Sequence, residues 1–320
     1  MRHGSGHRRH STVGPVRRPV TIALAVAGLA ALLAVAVTAG VLLFRSYSLA
    51  GPECTVPGDP AGATGAPQVE LTAIQLQHAS TINAVGLARR LPDGARVVAL
   101  ATAFQESALR NRPDGDRDSV GLFQQRPSKG WGTVQQILDP VYASGAFYDA
   151  LLKVPGWQNM SLTAAAQAVQ DSAYPDAYAK WEPQARTLVR GLSGAVPGEL
   201  SCRAGAAAPT ADAPERGPVT GAKAASPELA AVLGAAQAEL GGVSVTSVSG
   251  DGRTALIDVT VPGIGRDAAA RALAAWAVAH GTGFGVTGVT VDDRRWVDHA
   301  WTPGAAPTGG SVQITVGQPG

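Results

Sequence analysis

The stretch Val97–Ser107, VVALATAFQES, carries a single ionisable side chain, Glu106, with Ala99, Thr102, Ala103 and Leu109 at helical neighbour spacings around it. A carboxyl in apolar company holds its proton more tightly than one in water, which is the property a general acid needs. The plainer alternative is a solvated Glu-to-Arg pair, since Arg110 follows four residues on. The next acids, Asp114-Gly115-Asp116-Arg117-Asp118, alternate as in a calcium loop. Counted from Asp114, however, the sixth position is Ser119 rather than glycine and the twelfth is Gln125 rather than glutamate. A turn capped by Asp side chains is the reading, and no metal is expected.

Other chemistries lack their residues. His78, His280 and His299 stand in unrelated settings without a Ser or Cys nucleophile motif. Gly263-Ile264-Gly265 has neither a Walker lysine nor dinucleotide spacing, so no nucleotide or other cofactor is expected. The net charge is only +2, and five of the 26 basic residues crowd the first 18 positions, which argues against a nucleic-acid partner. Two cysteines, Cys54 and Cys202, can pair in one way; no His lies near either, so zinc is not indicated. Such a disulfide would tie together the ends of one unit and fits an oxidising compartment.

The elements that must position these groups are divided by composition. With 39 Gly and 22 Pro in 320 residues, linkers between smaller units are expected. Residues 1–19 form a basic tail, and residues 20–44 contain no charge; as a helix they are long enough to cross a bilayer. The arginines lie on the N-terminal side, so the tail is expected in the cytoplasm and everything beyond outside it, as a single-pass plasma-membrane protein. A cleaved signal peptide is the alternative, but its apolar core is usually about 7–15 residues. Residues 45–69 read as a Gly/Pro/Ala linker whose coil reach is roughly 25–30 Å.

Residues 70–200 read as an all-α domain of five to seven helices: Leu71–Leu91, Ala95–Leu109, Thr133–Leu138, Val141–Val154 after Asp139-Pro140, and Ser161–Ser172. A second linker spans 203–225. Residues 226–302 then alternate as α-β-β-α-β-β, a small two-layer α+β domain with hairpins at Gly250-Asp251-Gly252 and Asp292-Asp293. The tail, 303–320, offers an edge strand at Ser311–Val316. The expected architecture is therefore multidomain, and the C-terminal domain is a candidate for binding a protein partner.

The run AFQESALRN, through NRPDGDRDS into VGLFQQRPSKGWG, resembles the lysozyme-like superfamily of lytic transglycosylases and goose-type lysozymes, in a divergent branch carried by membrane-anchored envelope proteins of high-GC Gram-positive bacteria. Glu106-Ser107 matches the Glu-Ser that ends the catalytic helix. Gly121-Leu122-Phe123-Gln124 matches the Gly-Leu-aromatic-Gln segment that lines the cleft. The third motif departs: Ala166-Gln167-Ala168-Val169-Gln170 has Val169 and Gln170 where Tyr and Asn are usual. The resemblance covers about residues 70–192.

It implies cleavage of the β-1,4 bond between N-acetylmuramic acid and N-acetylglucosamine in peptidoglycan, with Glu106 as general acid and then base. Ser107, Gly121, Leu122, Phe123, Gln124, Gln170 and Tyr174 would contact substrate, with Gln124 bonding the sugar or orienting the acid. Trp131, Trp157, Tyr174, Tyr178 and Trp181 offer stacking faces. A transglycosylase needs no second carboxylate. An inverting hydrolase needs one at about 6.5–9.5 Å, for which Asp116 or Asp118 is the candidate. The rival expectation is a catalytically inactive, glycan-binding scaffold of an envelope, secretion or conjugation complex.

Overall fold

The computed structural model describes residues 53–59, 65–171, 175–195, 200–203 and 219–318. The apolar 20–44 segment lies outside them, and among the described residues no helix is long and apolar enough to cross a membrane. The first half is built on two helices, α1 (Ala73–Ala88) and α2 (Asp93–Ser107). Thr72 and Gln75 close a reciprocal capping box at the start of α1. Around them pack α3 (Val134–Ile137), α4 (Pro140–Leu152), α5 (Leu162–Gln170), the 3-10 segment Pro175–Trp181 and α6 (Glu182–Leu192). Asp139 and Ser161 cap α4 and α5 through their side-chain oxygens, as their places before Pro140 and an Ala-rich run anticipate.

This half is not all-α, which corrects the expectation. β1 (Cys54–Val56) lies between β2 (Val69–Leu71) and β3 (Ser201–Cys202) in an antiparallel three-stranded sheet. Cys54 and Cys202 stand directly opposite in the β1–β3 register and form the disulfide, 148 residues apart. For that loop length the chain-entropy relation gives about 5 kcal/mol of stabilisation.

The second half also departs from α-β-β-α-β-β. Helices α7 (Pro227–Leu240) and α8 (Arg266–Ala279), with the short α9 (Gly281–Phe284), accompany a six-stranded antiparallel sheet ordered β4-β5-β9-β6-β7-β8. Its strands are β4 (Val243–Val248), β5 (Thr254–Val259), β6 (Val286–Val291), β7 (Arg294–Val297), β8 (Ala300–Pro303) and β9 (Val312–Val316). The hairpin expected at Asp292-Asp293 is extended by a second one, β7–β8, whose turn holds left-handed Asp298 and His299. The expected edge strand is β9, which is interior: Val312, Ile314 and Val316 all bury their side chains.

Separate cores for these two halves are likewise overturned, because the described residues beyond 52 form one compact unit with one continuous core. Helix α1 explains why. It packs on α2 and α4 on one side and on α7 and α8 on the other, and every residue from His78 to Leu87 is buried. Polar contacts cross the same boundary: Trp301 Nε1 donates to the Leu200 carbonyl at 2.7 Å, and Arg271 Nε donates to that of Gly194 at 2.8 Å.

Candidate functional site

Helix α2 is exposed at Asp93 and Gly94, buried from Ala95 to Phe104, and comes toward the surface again at its last turn. Glu106, in that turn, is half-buried. The helix stops because Ala108 and Leu109 both turn left-handed, with φ of 53° and 59°. For residues with a Cβ this costs about 1–2 kcal/mol each, so neighbours must hold the turn. Leu109 is fully buried, and its amide bonds back to the Ala103 carbonyl at 3.1 Å. The reversal takes Arg110 off the helical i+4 position, and no ion pair joins it to Glu106 among the described residues.

The partner of Glu106 comes from elsewhere. Tyr178, fully buried in the 3-10 segment, donates its hydroxyl to Glu106 Oε1 at 2.7 Å. The same segment grips the preceding residues: the Trp181 ring stacks on Phe104 at 5.0 Å, and its Nε1 donates to Gln105 Oε1 at 3.0 Å. Tyr178 and Trp181 were expected as sugar-stacking faces. The buried Tyr178 ring cannot serve as one, and its hydroxyl is the contribution that sequence reasoning missed. Of the other aromatics, Trp157 is core, Trp131 is half-buried, and Tyr174 lies outside the described residues.

The Gly121–Gln124 segment is a tight strap across the end of α2. Val120 and Gln125 bridge its base, with the Val120 amide donating to the Gln125 carbonyl at 3.0 Å, while Gly121 pairs with Arg112. Gly121 is left-handed at φ 81°, and a Cβ there would meet the Ile137 carbonyl oxygen at 2.7 Å, so only glycine fits. Ser107 Oγ donates to the Leu122 carbonyl at 2.7 Å and Gln170 Nε2 to the Phe123 carbonyl at 2.8 Å. Leu122 and Phe123 are fully buried, and Phe123 stacks on Phe147 at 4.6 Å.

The structure thus brings Glu106, Ser107, Gly121, Leu122, Phe123, Gln124 and Gln170 together, though most of them fasten the strap instead of facing a ligand. Within the strap itself, Gln124 is the half-exposed residue. Its amide donates to the Gly121 carbonyl at 3.3 Å, and its Oε1 lies where a Cβ on Gly115 would stand, only 1.9 Å from that point.

The acidic loop separates its members. The Asp116 side chain is 91% exposed beside Arg117. Asp118 accepts from Arg126 Nε at 2.7 Å and from the Ser128 amide at 2.8 Å. The Arg126 bond above all holds the Asp118 carboxyl far below the usual carboxylate range. Asp118 is thereby a clamp on the chain that follows the strap. Among the described residues no three His, Cys, Asp or Glu side chains gather as a metal-binding group.

Chemically, the site offers one half-exposed carboxyl oriented by a buried phenol, a carboxamide on a fixed strap, and a freely solvated aspartate in the neighbouring loop. No protein-family model matches the chain, and no curated protein matches it.

Proposed function

We propose that the protein is an extracytoplasmic peptidoglycan-cleaving enzyme, a lytic transglycosylase or muramidase, with Glu106 as general acid and base. The observation that carries this reading is the Glu106 setting: a half-buried carboxyl at a helix end, hydrogen-bonded by the Tyr178 hydroxyl, unpaired with Arg110, beside a strap that Ser107 and Gln170 fasten. The carboxyl donates a proton to the leaving glycosidic oxygen. In a transglycosylase its carboxylate then takes one from the sugar's 6-hydroxyl, giving an anhydro product; in an inverting hydrolysis a second carboxylate takes the proton of the attacking water. The first course leaves Asp116 without a catalytic task. In the second, Asp116 supplies the base. The cross-strand disulfide favours an oxidising, cell-wall-facing location.

A second reading, a glycan-binding scaffold without catalysis, draws on Gln170, whose amide is spent on the Phe123 carbonyl at the place of the superfamily's third motif. Incubation of the purified full-length chain with peptidoglycan, followed by mass analysis of released muropeptides, decides between them. Wild type should release fragments, and Glu106→Gln should bind the sacculi without releasing any. A wild-type protein that binds and releases nothing sinks the enzymatic reading in favour of the scaffold.

A further inference from the structure

The left-handed turn behind Glu106 is held by two donors from α1. Gln75 Nε2 reaches the Ala108 carbonyl at 2.9 Å, and His78 Nδ1 reaches that of Leu109 at 2.8 Å. Gln75 is already fixed by its capping box, so His78 is the donor whose placement needs an explanation. It is buried, and that burial keeps the imidazole neutral by pushing its pKa below the usual value.

The groups that face His78 electrostatically come from the other half of the molecule: Glu239 on α7 and His280 just after α8. Both are almost fully enclosed, at 4% and 1% exposure, where an acid and an imidazole are costly to keep unless partnered. They are partnered. Trp276 Nε1 donates to Glu239 Oε2 at 2.7 Å, and that oxygen lies 3.6 Å from His280 Nε2. His280 Nδ1 donates to the Trp276 carbonyl at 2.8 Å, which fixes the ring and points Nε2 at Thr81 Oγ1, 3.5 Å away on α1. Thr81 stands three residues after His78. Polar contacts from the sheet-bearing half thus reach α1 at Thr81, and one turn earlier on the same helix His78 holds the carbonyl three residues past Glu106.

We infer that the α+β half is a positioning element of the Glu106 site: Glu239 and His280 fix the Thr81 and His78 face of α1, and His78 fixes the turn that sets the acid. His78 is a positioning residue, and the inference rests on Glu106 being the working acid.

Full-length His78→Leu, His78→Asn and Glu239→Gln test it with two readouts. One is hydrogen exchange at the Ala108 and Leu109 amides, which close the turn onto Phe104 and Ala103. The other is kcat and KM on peptidoglycan. His78→Leu should speed exchange at these two amides by about tenfold, the loss of one hydrogen bond, and lower kcat with KM unchanged. His78→Asn, whose amide can donate in place of Nδ1, should restore both. Glu239→Gln should loosen the same two amides from across the boundary. Exchange that rises no more at Ala108 and Leu109 than along α4 overturns the inference, as does a Glu239→Gln protein with both amides unchanged. Should His78→Leu fail to fold, the other two variants decide the matter. If Glu106→Gln keeps full activity, the acid assignment fails while the exchange readout still reports on these contacts by itself.

Discussion

Tyr178→Phe removes one oxygen atom and tests the orientation of the acid more directly than any change to the acid itself. Tyr178 is fully buried and its ring stays in place as phenylalanine, so no cavity larger than a hydroxyl opens. The bond lost is a 2.7 Å contact to Glu106 Oε1. Hydrogen bonds to charged groups contribute about 1.5–3 kcal/mol, but Glu106 is half-exposed and water replaces part of the loss. The lower end applies, about 1.4 kcal/mol, which is a tenfold fall in kcat/KM. Because the phenol orients the acid and does not hold substrate, the fall should lie in kcat. Global stability should fall by no more than about 1.5 kcal/mol, the contribution of that one bond. Initial rates of muropeptide release at several substrate concentrations, with urea denaturation of the same samples, measure both quantities. A kcat/KM within about twofold of wild type refutes the orienting role. A stability loss above about 3 kcal/mol with proportionate inactivation shows instead that the hydroxyl holds the fold.

Gly121→Ala should cost at least about 2 kcal/mol in urea denaturation, since the new Cβ meets both a left-handed backbone and the Ile137 carbonyl oxygen. Its muropeptide release should fall further than its folded fraction, because Gln124 and the Ser107 anchor move with the strap. Reduction, or Cys54→Ser with Cys202→Ser, should lower the unfolding free energy by up to about 5 kcal/mol, read from the urea midpoint with and without reductant. Acid sensitivity follows from His78. Its pKa is lowered from 6.5, chiefly by burial, so below that value the unfolded chain binds the proton more readily than the native one. The stability His78 contributes is complete above about pH 6.5 and is lost as the pH falls toward the lower native value. Urea midpoints between about pH 7 and 5 should drop more steeply for wild type than for His78→Asn, and parallel slopes refute the assignment.

The helix bearing Glu106 is legible in sequence because VVALATAFQES combines an unbroken apolar run with one acid at its end, and α4 and α5 are legible because Asp139-Pro140 and Ser161 are capping signals that act locally. The pairing of β1 with β3 is not. Strands of three and two residues carry no readable alternation, and what sets their register lies 148 residues apart. The partner of Glu106 is hidden for a related reason: a tyrosine in a short aromatic-rich stretch reads equally as core, stacking face or hydrogen-bond donor, and only the 3-10 segment's path across α2 selects the last.

Helix α1 presents the most instructive difficulty. His78, Thr81 and Asn83 are polar types that a surface helix also carries, and in sequence nothing marks them as buried. Each is instead satisfied inside: His78 by the Leu109 carbonyl, Thr81 beside His280, Asn83 by Arg96. Hydrophobic periodicity shows where apolar side chains go, but a buried polar group whose hydrogen bonds are met leaves the same pattern as an exposed one. That ambiguity makes two halves read as separate domains when they share one core, and it conceals the contacts by which the second half reaches the site of the first.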